Sequence, residues 1–269
     1  MKKNRLIPLL LLKNGWLVQS KEFHRYQNLG NPITAVKRLS EWGSDELIFL
    51  DISKDEIYDT RRDDQGYPNR GTFLEIIQDV SKVTFMPMTV GGKIGSLQDI
   101  EKYLSAGADK VSINTKALAD PDFITLAARE FGAQCIVVSM DIKTVEGKPL
   151  VYSHGAAAPT ELDPLAWART VADRGAGEIL LNSVDRDGMG GGYDLELIDR
   201  VSSNVSIPVI ACGGVGDWDH FLSGLAQTKA DAVAAANIFH YRDQSVFLAK
   251  KYLFEHKANV RRPDLINVN

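Results

Sequence analysis

Eight short apolar runs alternate with amphipathic stretches along this chain. The runs are apolar at nearly every position, which is typical of parallel strands buried on both faces. Between them, apolar residues recur at three- and four-residue spacing, which predicts helices with one buried side. The predicted strands are 6–12, 46–51, 84–90, 109–113, 134–141, 177–183, 207–212 and 231–236. The predicted helices are 33–42, 71–81, 97–105, 121–130, 163–173, 195–203, 217–225 and 243–255.

The order of these elements predicts the fold. About eight alternations of a buried strand and a helix describe a parallel sheet that is covered on its outside. The pairs Asn31-Pro32, Asp120-Pro121 and Asp163-Pro164 each place an N-cap residue before a first-turn proline, as helix starts do. Together with the repetition described next, the pattern favours an α/β fold of the (β/α)8 TIM barrel type over an open doubly wound sheet. With 44% hydrophobic residues and no evident linker, the chain 1–269 is expected to form a single barrel domain.

Two apolar runs, each containing a proline, close on paired glycines. Each is followed by a helix and then by another apolar run that ends in asparagine. The second glycine lies 22 positions before that asparagine in one copy, Gly92 to Asn114, and 23 positions in the other, Gly214 to Asn237. This spacing predicts an internal duplication of a half-barrel.

The glycine turns indicate an anionic ligand. Glycines after a buried strand let backbone N–H groups approach a ligand closely, and the dipole of the helix that follows points the same way. A phosphate or another anion suits such a turn. One turn of this kind is more often plain turn chemistry. Its repetition favours a ligand that carries an anionic group at either end.

In barrels of this type the chemistry lies at the carboxyl ends of the strands. Asp141 closes a predicted strand there, and although it could merely cap the next turn, its position favours acid–base chemistry. Asp51 is a weaker candidate, equally suited to orienting neighbouring loops. The polar, aromatic and basic loop 54–70 either holds an anionic or ring-bearing substrate or is a solvated surface excursion. The Glu146-Gly147 turn predicts a small hairpin over the fifth strand.

Charge and composition exclude some classes of partner. A net charge of −4 and a pI near 5.8 argue against nucleic acid or an anionic membrane, because either would favour a basic field. The leucine run 9–12 is interrupted by Lys13-Asn14-Gly15 before any small-residue cleavage site, so a cytoplasmic protein is expected. Cys135 and Cys212 lie in apolar runs and are expected to be buried, reduced thiols. The histidines show no ligand-like spacing, so neither a metal site nor a cofactor is predicted.

The two glycine turns, together with the runs 109–115, 175–181, 185–188 and 238–240, closely resemble the HisF family. HisF is the cyclase subunit of imidazole glycerol phosphate synthase, and the match runs nearly end to end. In that family a glutaminase docks at the amino end of the barrel, ammonia passes up the barrel, and a bis-phosphate substrate is cyclised and cleaved at the carboxyl end. The resemblance implies a heterodimer with a HisH-like glutamine amidotransferase and a small phosphorylated or nucleotide-sugar substrate.

The resemblance also implies roles for particular residues. Asp141 corresponds to a catalytic acid of the family. Four charges near the starts of strands match the family's ammonia gate, and two cations with two anions there could form a closed ring of salt bridges or simply close the barrel. The gate residues are Arg5, Glu46, Lys110 and Glu178. The phosphate-binding residues are Gly92, Asn114 and Thr115 for one end of the substrate, and Asp187, Gly188, Gly213, Gly214, Ala236 and Asn237 for the other.

Several positions at the carboxyl end depart from the family pattern. The family's first strand ends in a second catalytic aspartate, whereas this chain has Leu11, and no acidic residue precedes Glu22. Loss of one positioned proton-transfer group costs roughly 10²–10⁴ in rate. A second carboxyl group facing Asp141 in the folded chain would restore the ordinary pair. The other departures are Gln19 for a loop lysine, Lys93 for a third glycine, Met189 for a threonine and Asn237 for a serine.

Three functions fit this pattern. The departures favour a HisF-like subunit with a changed ammonia acceptor, as in second HisF-type copies of surface-polysaccharide loci. Those copies are implicated, with a HisH-like glutaminase and an ATP-using amidotransferase-like protein, in turning an acetamido sugar into an acetamidino sugar. The alternative is the lyase subunit of histidine biosynthesis, which converts PRFAR and ammonia into imidazole glycerol phosphate and AICAR. The third is a non-catalytic barrel that activates or scaffolds a glutaminase.

Overall fold

Strands and helices alternate along the computed structural model, which describes residues 2–59 and 70–265. Most of the predicted substrate loop 54–70 therefore lies outside the described residues. The strands are β1 Arg5–Lys13, β2 Trp16–Lys21, β3 Arg25–Gly30, β4 Leu47–Asp51, β5 Met88–Gly91, β6 Lys110–Ile113, β7 Ile136–Val145, β8 Lys148–Ser153, β9 Ala158–Pro159, β10 Glu178–Ser183, β11 Val209–Cys212 and β12 Ala232–Ala235. The helices are α1 Pro32–Glu41, α2 Phe73–Val80, α3 Leu97–Ser105, α4 Thr115–Ala119, α5 Asp122–Phe131, α6 Pro164–Asp173, α7 Leu195–Ser202, α8 Trp218–Ala226 and α9 Ser245–Glu255.

Eight of these strands form a closed parallel barrel in the order β1, β4, β5, β6, β7, β10, β11, β12. Strand β1 pairs in parallel with both β4 and β12, and β7 pairs with β10, which closes the cylinder. The predicted (β/α)8 TIM barrel is confirmed. Strands β5 and β11 are the third and seventh in the ring, so the turns that follow them lie on opposite sides of the barrel.

Successive side chains of a strand point to opposite faces, and this alternation fills the barrel. Ile7 and Leu11 of β1 point inward, where they join Ile48 of β4 and Ala234 of β12 in one buried cluster. The intervening position Leu10 belongs to the larger core between the strands and the helices. The near-continuous apolar runs of the sequence follow from burial on both sides of the sheet.

The helix starts after the two glycine turns are built alike. Ser96 caps α3 and forms a reciprocal capping box with Asp99, and Asp217 caps α8 and forms one with His220. These equivalent caps support the interpretation of an internal repeat. Of the predicted proline starts, α1 and α6 are capped as expected. The cap predicted at Asp120 is wrong, because its carboxylate pairs with Lys116 instead.

Two antiparallel hairpins extend from the barrel. The hairpin predicted at Glu146-Gly147 is confirmed, with β7 continuing past Asp141 to pair with β8. The other, β1 with β2 and β2 with β3, was not predicted. Its first turn is Asn14-Gly15, both residues in the left-handed region, which is a strong hairpin signal. Helix α4 was also missed.

Both cysteines are free. Cys212 is buried as expected, whereas Cys135 is only partly buried because it lies in a short 3-10 turn before β7.

Candidate active site

The carboxyl ends of the barrel strands surround a cavity of about 650 Å³. All ten residues that the sequence predicted for this end line it, namely Gly92, Asn114, Thr115, Asp141, Asp187, Gly188, Gly213, Gly214, Ala236 and Asn237. The barrel topology brings them together from six different strand ends. Their individual roles stay predictions.

The two glycine turns need glycine for a reason that the sequence did not reveal. Gly92 has φ +114°, and a Cβ there would lie 2.3 Å from the carbonyl oxygen of Asp51. Gly214 has φ +102°, and a Cβ there would lie 2.2 Å from the carbonyl oxygen of Gly192. The first turn is therefore packed directly against the backbone at the end of β4, and the second against the backbone of the loop after β10. This packing fixes both turns at the cavity wall.

Asp141 projects from β7 into the cavity and is 6% exposed. Asn114 Nδ2 donates to its Oδ2 at 3.0 Å, and Asn182 Nδ2 lies at the limit of hydrogen bonding, 3.5 Å from its Oδ1. Burial raises the pKa of Asp141 to about 7, and the charge of Asp187 adds to this, against the hydrogen bonds from the two asparagines. The carboxyl group can therefore both donate and accept a proton near neutral pH.

Asp187 is the carboxyl group whose charge acts on Asp141. It follows β10 and accepts hydrogen bonds from Ser20 Oγ at 2.7 Å and from the backbone N–H of Phe23 at 3.4 Å. Burial raises its pKa above the ordinary value, and the charge of Glu22 acts in the same direction. The cavity thus contains two carboxyl groups whose pKa values burial raises.

Leu11 lines the same cavity and is 7% exposed. Among the described residues the carboxyl groups that line the cavity are Asp51, Asp141 and Asp187. Asp51 is occupied by Ser53, whose backbone N–H donates to it at 2.9 Å, and by the ammonium of Lys93. Asp187 is hydrogen-bonded too, but it is the carboxyl group whose charge acts on Asp141, and this makes it the candidate to complement Asp141 where the first strand offers an aliphatic side chain.

The β2–β3 hairpin is hydrogen-bonded to the loop after β12. Asn237 Nδ2 donates to the carbonyl oxygen of Ser20 at 2.7 Å, and Asn237 Oδ1 accepts from the Ser20 N–H at 3.3 Å. Ser20, Phe23 and Tyr26 all line the cavity. The hairpin is therefore one wall of the site, and its contribution was not predicted because the hairpin itself was missed.

Lys93, noted in the sequence only as a departure from the family's third glycine, and His154, to which no role was given, both line the cavity. Lys93 follows Gly92, and His154 comes from the loop after β8, where its backbone N–H donates to Thr115 Oγ1 at 3.1 Å. The histidines were set aside because their spacing suggested no metal site. His154 reaches the cavity because the β7–β8 hairpin folds over the barrel. A link between residues 39 positions apart is not visible in local sequence.

The four charges predicted at the amino end form a closed ring. Arg5 lies 2.7 Å from Glu46 and 2.6 Å from Glu178, while Lys110 lies 3.2 Å from Glu46 and 2.8 Å from Glu178. Burial disfavours the charged form of Glu178, but Arg5 and Lys110 outweigh it and hold the pKa of Glu178 below its ordinary value. The ion-pair ring is therefore present, and its role as a gate stays a prediction.

Within the described residues, no group of three or more His, Cys, Asp or Glu side chains is placed to hold a metal ion. None of the helices described is long and apolar enough to cross a membrane.

Comparison with known proteins gives a family. A family model described as "Histidine biosynthesis protein" matches residues 5–245. The imidazole glycerol phosphate synthase subunit HisF of Anoxybacillus flavithermus (strain DSM 21510 / WK1) is 44% identical to this chain over 259 residues, which cover 96% of this chain and 98% of the relative. The chain therefore belongs to the histidine biosynthesis protein family, and within that family it is a HisF-type synthase subunit.

Proposed function

We propose that this chain is the cyclase subunit of an imidazole glycerol phosphate synthase, which joins ammonia to a bis-phosphate substrate and releases imidazole glycerol phosphate and AICAR. One observation carries the proposal. The turns at Gly92 and Gly214 lie on opposite sides of one cavity, with Asp141 on the wall between them. A substrate with a phosphate at each end would span that cavity and present its middle to Asp141.

Asp141 and Asp187 supply the proton transfers of this reaction. Ring closure requires a base that accepts a proton from the attacking nitrogen and an acid that protonates the leaving group. Asp141 has a pKa of about 7, so it is populated in both states near neutral pH. Asp187, with its pKa raised by burial, is the second candidate acid. This pair replaces the one in which the family's first strand supplies a carboxylate.

Ammonia is proposed to reach the cavity through the barrel. The ion-pair ring lies at the amino end, and the interior above it carries small or apolar side chains such as Ala232 and Val137. A buried ion pair often adds little to stability, because desolvation of the charges offsets much of their attraction. Closure of a passage therefore explains the presence of the ring better than stabilisation of the fold does. A HisH-like glutaminase bound at that end, in a heterodimer, would supply the ammonia from glutamine.

Leu11 favours a second candidate. In this reading the chain, with a HisH-like glutaminase and an ATP-using amidotransferase-like protein, delivers ammonia to an acetamido sugar to make an acetamidino sugar. Attack of ammonia on an activated amide carbon needs a shielded site and one acid or base, for which Asp141 suffices. It does not need ring closure, so a leucine beside the reacting centre would be tolerated.

The deciding experiment supplies the purified chain with an ammonium salt and PRFAR and measures imidazole glycerol phosphate by chromatography. Turnover by the wild-type chain, lost in Asp141→Asn, is the expected result. No turnover, together with failure to restore growth of a histidine auxotroph that lacks its own cyclase subunit, would leave the sugar reaction as the better candidate. A non-catalytic scaffold would show equal glutamine turnover and equal product formation for Asp141→Asn and wild type in the full complex.

A further inference from the structure

Lys93 adopts a backbone conformation that L side chains rarely take. Its φ is +56°, in the left-handed region, and it directly follows Gly92 in the turn after β5. Glycine would occupy this position at lower cost. Residues held in such conformations cluster at ligand-binding sites, where the surrounding structure enforces them. The contacts of the Lys93 side chain should therefore explain why a lysine is present at this position.

The ammonium of Lys93 is fixed at the cavity wall. Its Nζ lies 3.4 Å from Asp51 Oδ2 and donates to the carbonyl oxygen of Asp55. Asp51 is itself rigid, because it is 6% exposed and accepts hydrogen bonds from the backbone N–H and the hydroxyl of Ser53. An ammonium has three N–H donors, and within the part of the chain that the structure describes these contacts use two. The third is available to a ligand in the cavity that Lys93 lines.

Among the described residues that line the cavity, no lysine or arginine lies at the opposite turn; Arg186 packs against Gly214, but it donates to the carbonyl oxygen of Gly192 and does not line the cavity. Counting back from the helix caps Ser96 and Asp217, Lys93 occupies the place of Gly214: each is followed by an apolar residue, a glycine and the cap, and each has a positive φ, +56° and +102°. The two anion turns are therefore alike in backbone design and unequal in charge.

We propose that Lys93 makes the turn after β5 the stronger of the two anion sites for a substrate with an anionic group at either end. The inference rests on the proposed function in that it assumes a substrate of this class. Charge-assisted hydrogen bonds to phosphate are stronger than those from neutral donors alone, so a phosphate beside Lys93 is bound more tightly than one at Gly214.

The test is a titration of the full-length chain with inorganic phosphate, followed by the backbone amide resonances of Gly92 and Gly214. In the wild-type chain we expect a Kd at Gly92 lower than that at Gly214 by roughly tenfold, the ratio that one additional charge-assisted contact gives. Lys93→Gln should weaken phosphate at Gly92 by about the same factor and leave the Kd at Gly214 unchanged. Lys93→Arg should stay within about threefold of the wild type at both turns, because it keeps the charge.

Lys251→Gln is the matched control. Lys251 is also a lysine beside a carboxylate, with Nζ 3.9 Å from Glu255, but it lies on α9 and does not line the cavity. The Lys251→Gln substitution should change the phosphate Kd at neither Gly92 nor Gly214. The unchanged Kd at Gly214 also serves as the check that Lys93→Gln is folded.

Equal affinities at the two turns of the wild-type chain, or a Lys93→Gln variant that weakens both turns or neither, would overturn the inference. Failure of the proposed function is seen separately. If phosphate binds as expected but no imidazole glycerol phosphate forms from PRFAR, the role of Lys93 stands and the reaction assigned to the site does not.

Discussion

A Cβ atom on Gly188 would lie 2.4 Å from the carbonyl oxygen of Ser20. Gly188 belongs to the loop after β10, and Ser20 belongs to β2, so the β2–β3 hairpin is packed directly onto the backbone of that loop. Asp187 and Asn237 hold the same serine by its hydroxyl and its backbone. One residue of the hairpin is therefore fixed by two of the predicted phosphate-binding loops.

Gly188→Ala should displace the hairpin from the cavity. The added methyl group would overlap Ser20, and the backbone at φ +68° adds strain of about 1 kcal/mol for a residue other than glycine. The hairpin yields more easily than the barrel, since it joins the barrel sheet along one edge only, where β2 pairs with β1. Hydrogen exchange of the amides in 16–30 should become faster, measured by mass spectrometry.

Gly190→Ala is the control for backbone strain. Its φ of +70° is nearly the same, but the nearest heavy atom to an added Cβ is 3.7 Å away, at ordinary contact distance. Its hairpin exchange should match that of the wild type. The same acceleration in both alanine variants would mean that strain in the loop, and not packing against Ser20, controls the hairpin.

The fold was predictable because it rests on patterns that repeat along the chain. Buried parallel strands are apolar throughout, and helices with capped starts fill the intervals, so the eight barrel strands were placed to within a few residues. The hairpin after β1 was missed although Asn14-Gly15 signalled it. That stretch is polar and lies outside the barrel, so the hydrophobic pattern gave no strand there.

The candidate site was predictable only where a strand end carried a distinctive residue. Asp141 and the glycines met that condition. The roles of Asn182 beside Asp141 and of His154 beside Thr115 depend on contacts between distant segments, which local sequence does not contain. The reason for glycine at Gly92 also came from the fold, since it is the carbonyl group of Asp51 that excludes a side chain.

Phe85 is a candidate anchor for a glutaminase. Its side chain is 74% exposed, and it lies just before β5 at the end of the barrel that carries the ion-pair ring. Aromatic residues are enriched among those that dominate protein–protein affinity. Phe85→Ser should weaken binding of a HisH-like partner by roughly 10- to 100-fold, measured by calorimetry, because truncation of an anchor residue costs about 2 kcal/mol.

The matched control for Phe85 is Leu126→Ser. Leu126 is an exposed apolar side chain, 51% exposed, but it lies on α5 at the flank of the barrel. It should bind the partner as the wild type does, and both variants should retain activity with an ammonium salt. Unchanged affinity in Phe85→Ser would exclude this part of the amino end from the interface.

Leu11→Asp tests whether the aliphatic side chain limits cyclisation. The substitution places a carboxyl group on the cavity wall at the end of β1, where Leu11 is paired in register with Leu50 of β4 and Val18 of β2. A positioned proton-transfer group contributes roughly 10²–10⁴ in rate, so kcat for imidazole glycerol phosphate formation with ammonium should rise by about tenfold or more.

Leu11→Asn separates proton transfer from shape and polarity. It has nearly the same size as the aspartate and does not ionise, so its kcat should not rise. Equal kcat values for Leu11→Asp and the wild type, with both folded, would contradict the view that Leu11 limits the reaction and would leave Asp187 as the sufficient second acid.

Because of Asp141, the free energy of unfolding should fall as pH rises. Its pKa is about 7 in the folded chain against an ordinary 3.8, so folding favours the protonated form. The folded state then binds more protons than the unfolded state between these values, and stability is lost as pH rises from about 4 to about 7.

Asp141→Asn does not ionise, so it does not lose stability in this way as pH rises. Its stability relative to the wild type should therefore be about 2.7 kcal/mol more favourable at pH 8 than at pH 5, because the interval from pH 5 to the folded pKa spans about two pKa units and each corresponds to about 1.4 kcal/mol. Urea denaturation of both proteins at both pH values measures this double difference, in which the titration of all other groups cancels. A difference near zero would mean that Asp141 is already ionised at pH 5, and a difference of opposite sign would mean that the fold stabilises its carboxylate. Either result would remove Asp141 as a group that can both donate and accept a proton at neutral pH.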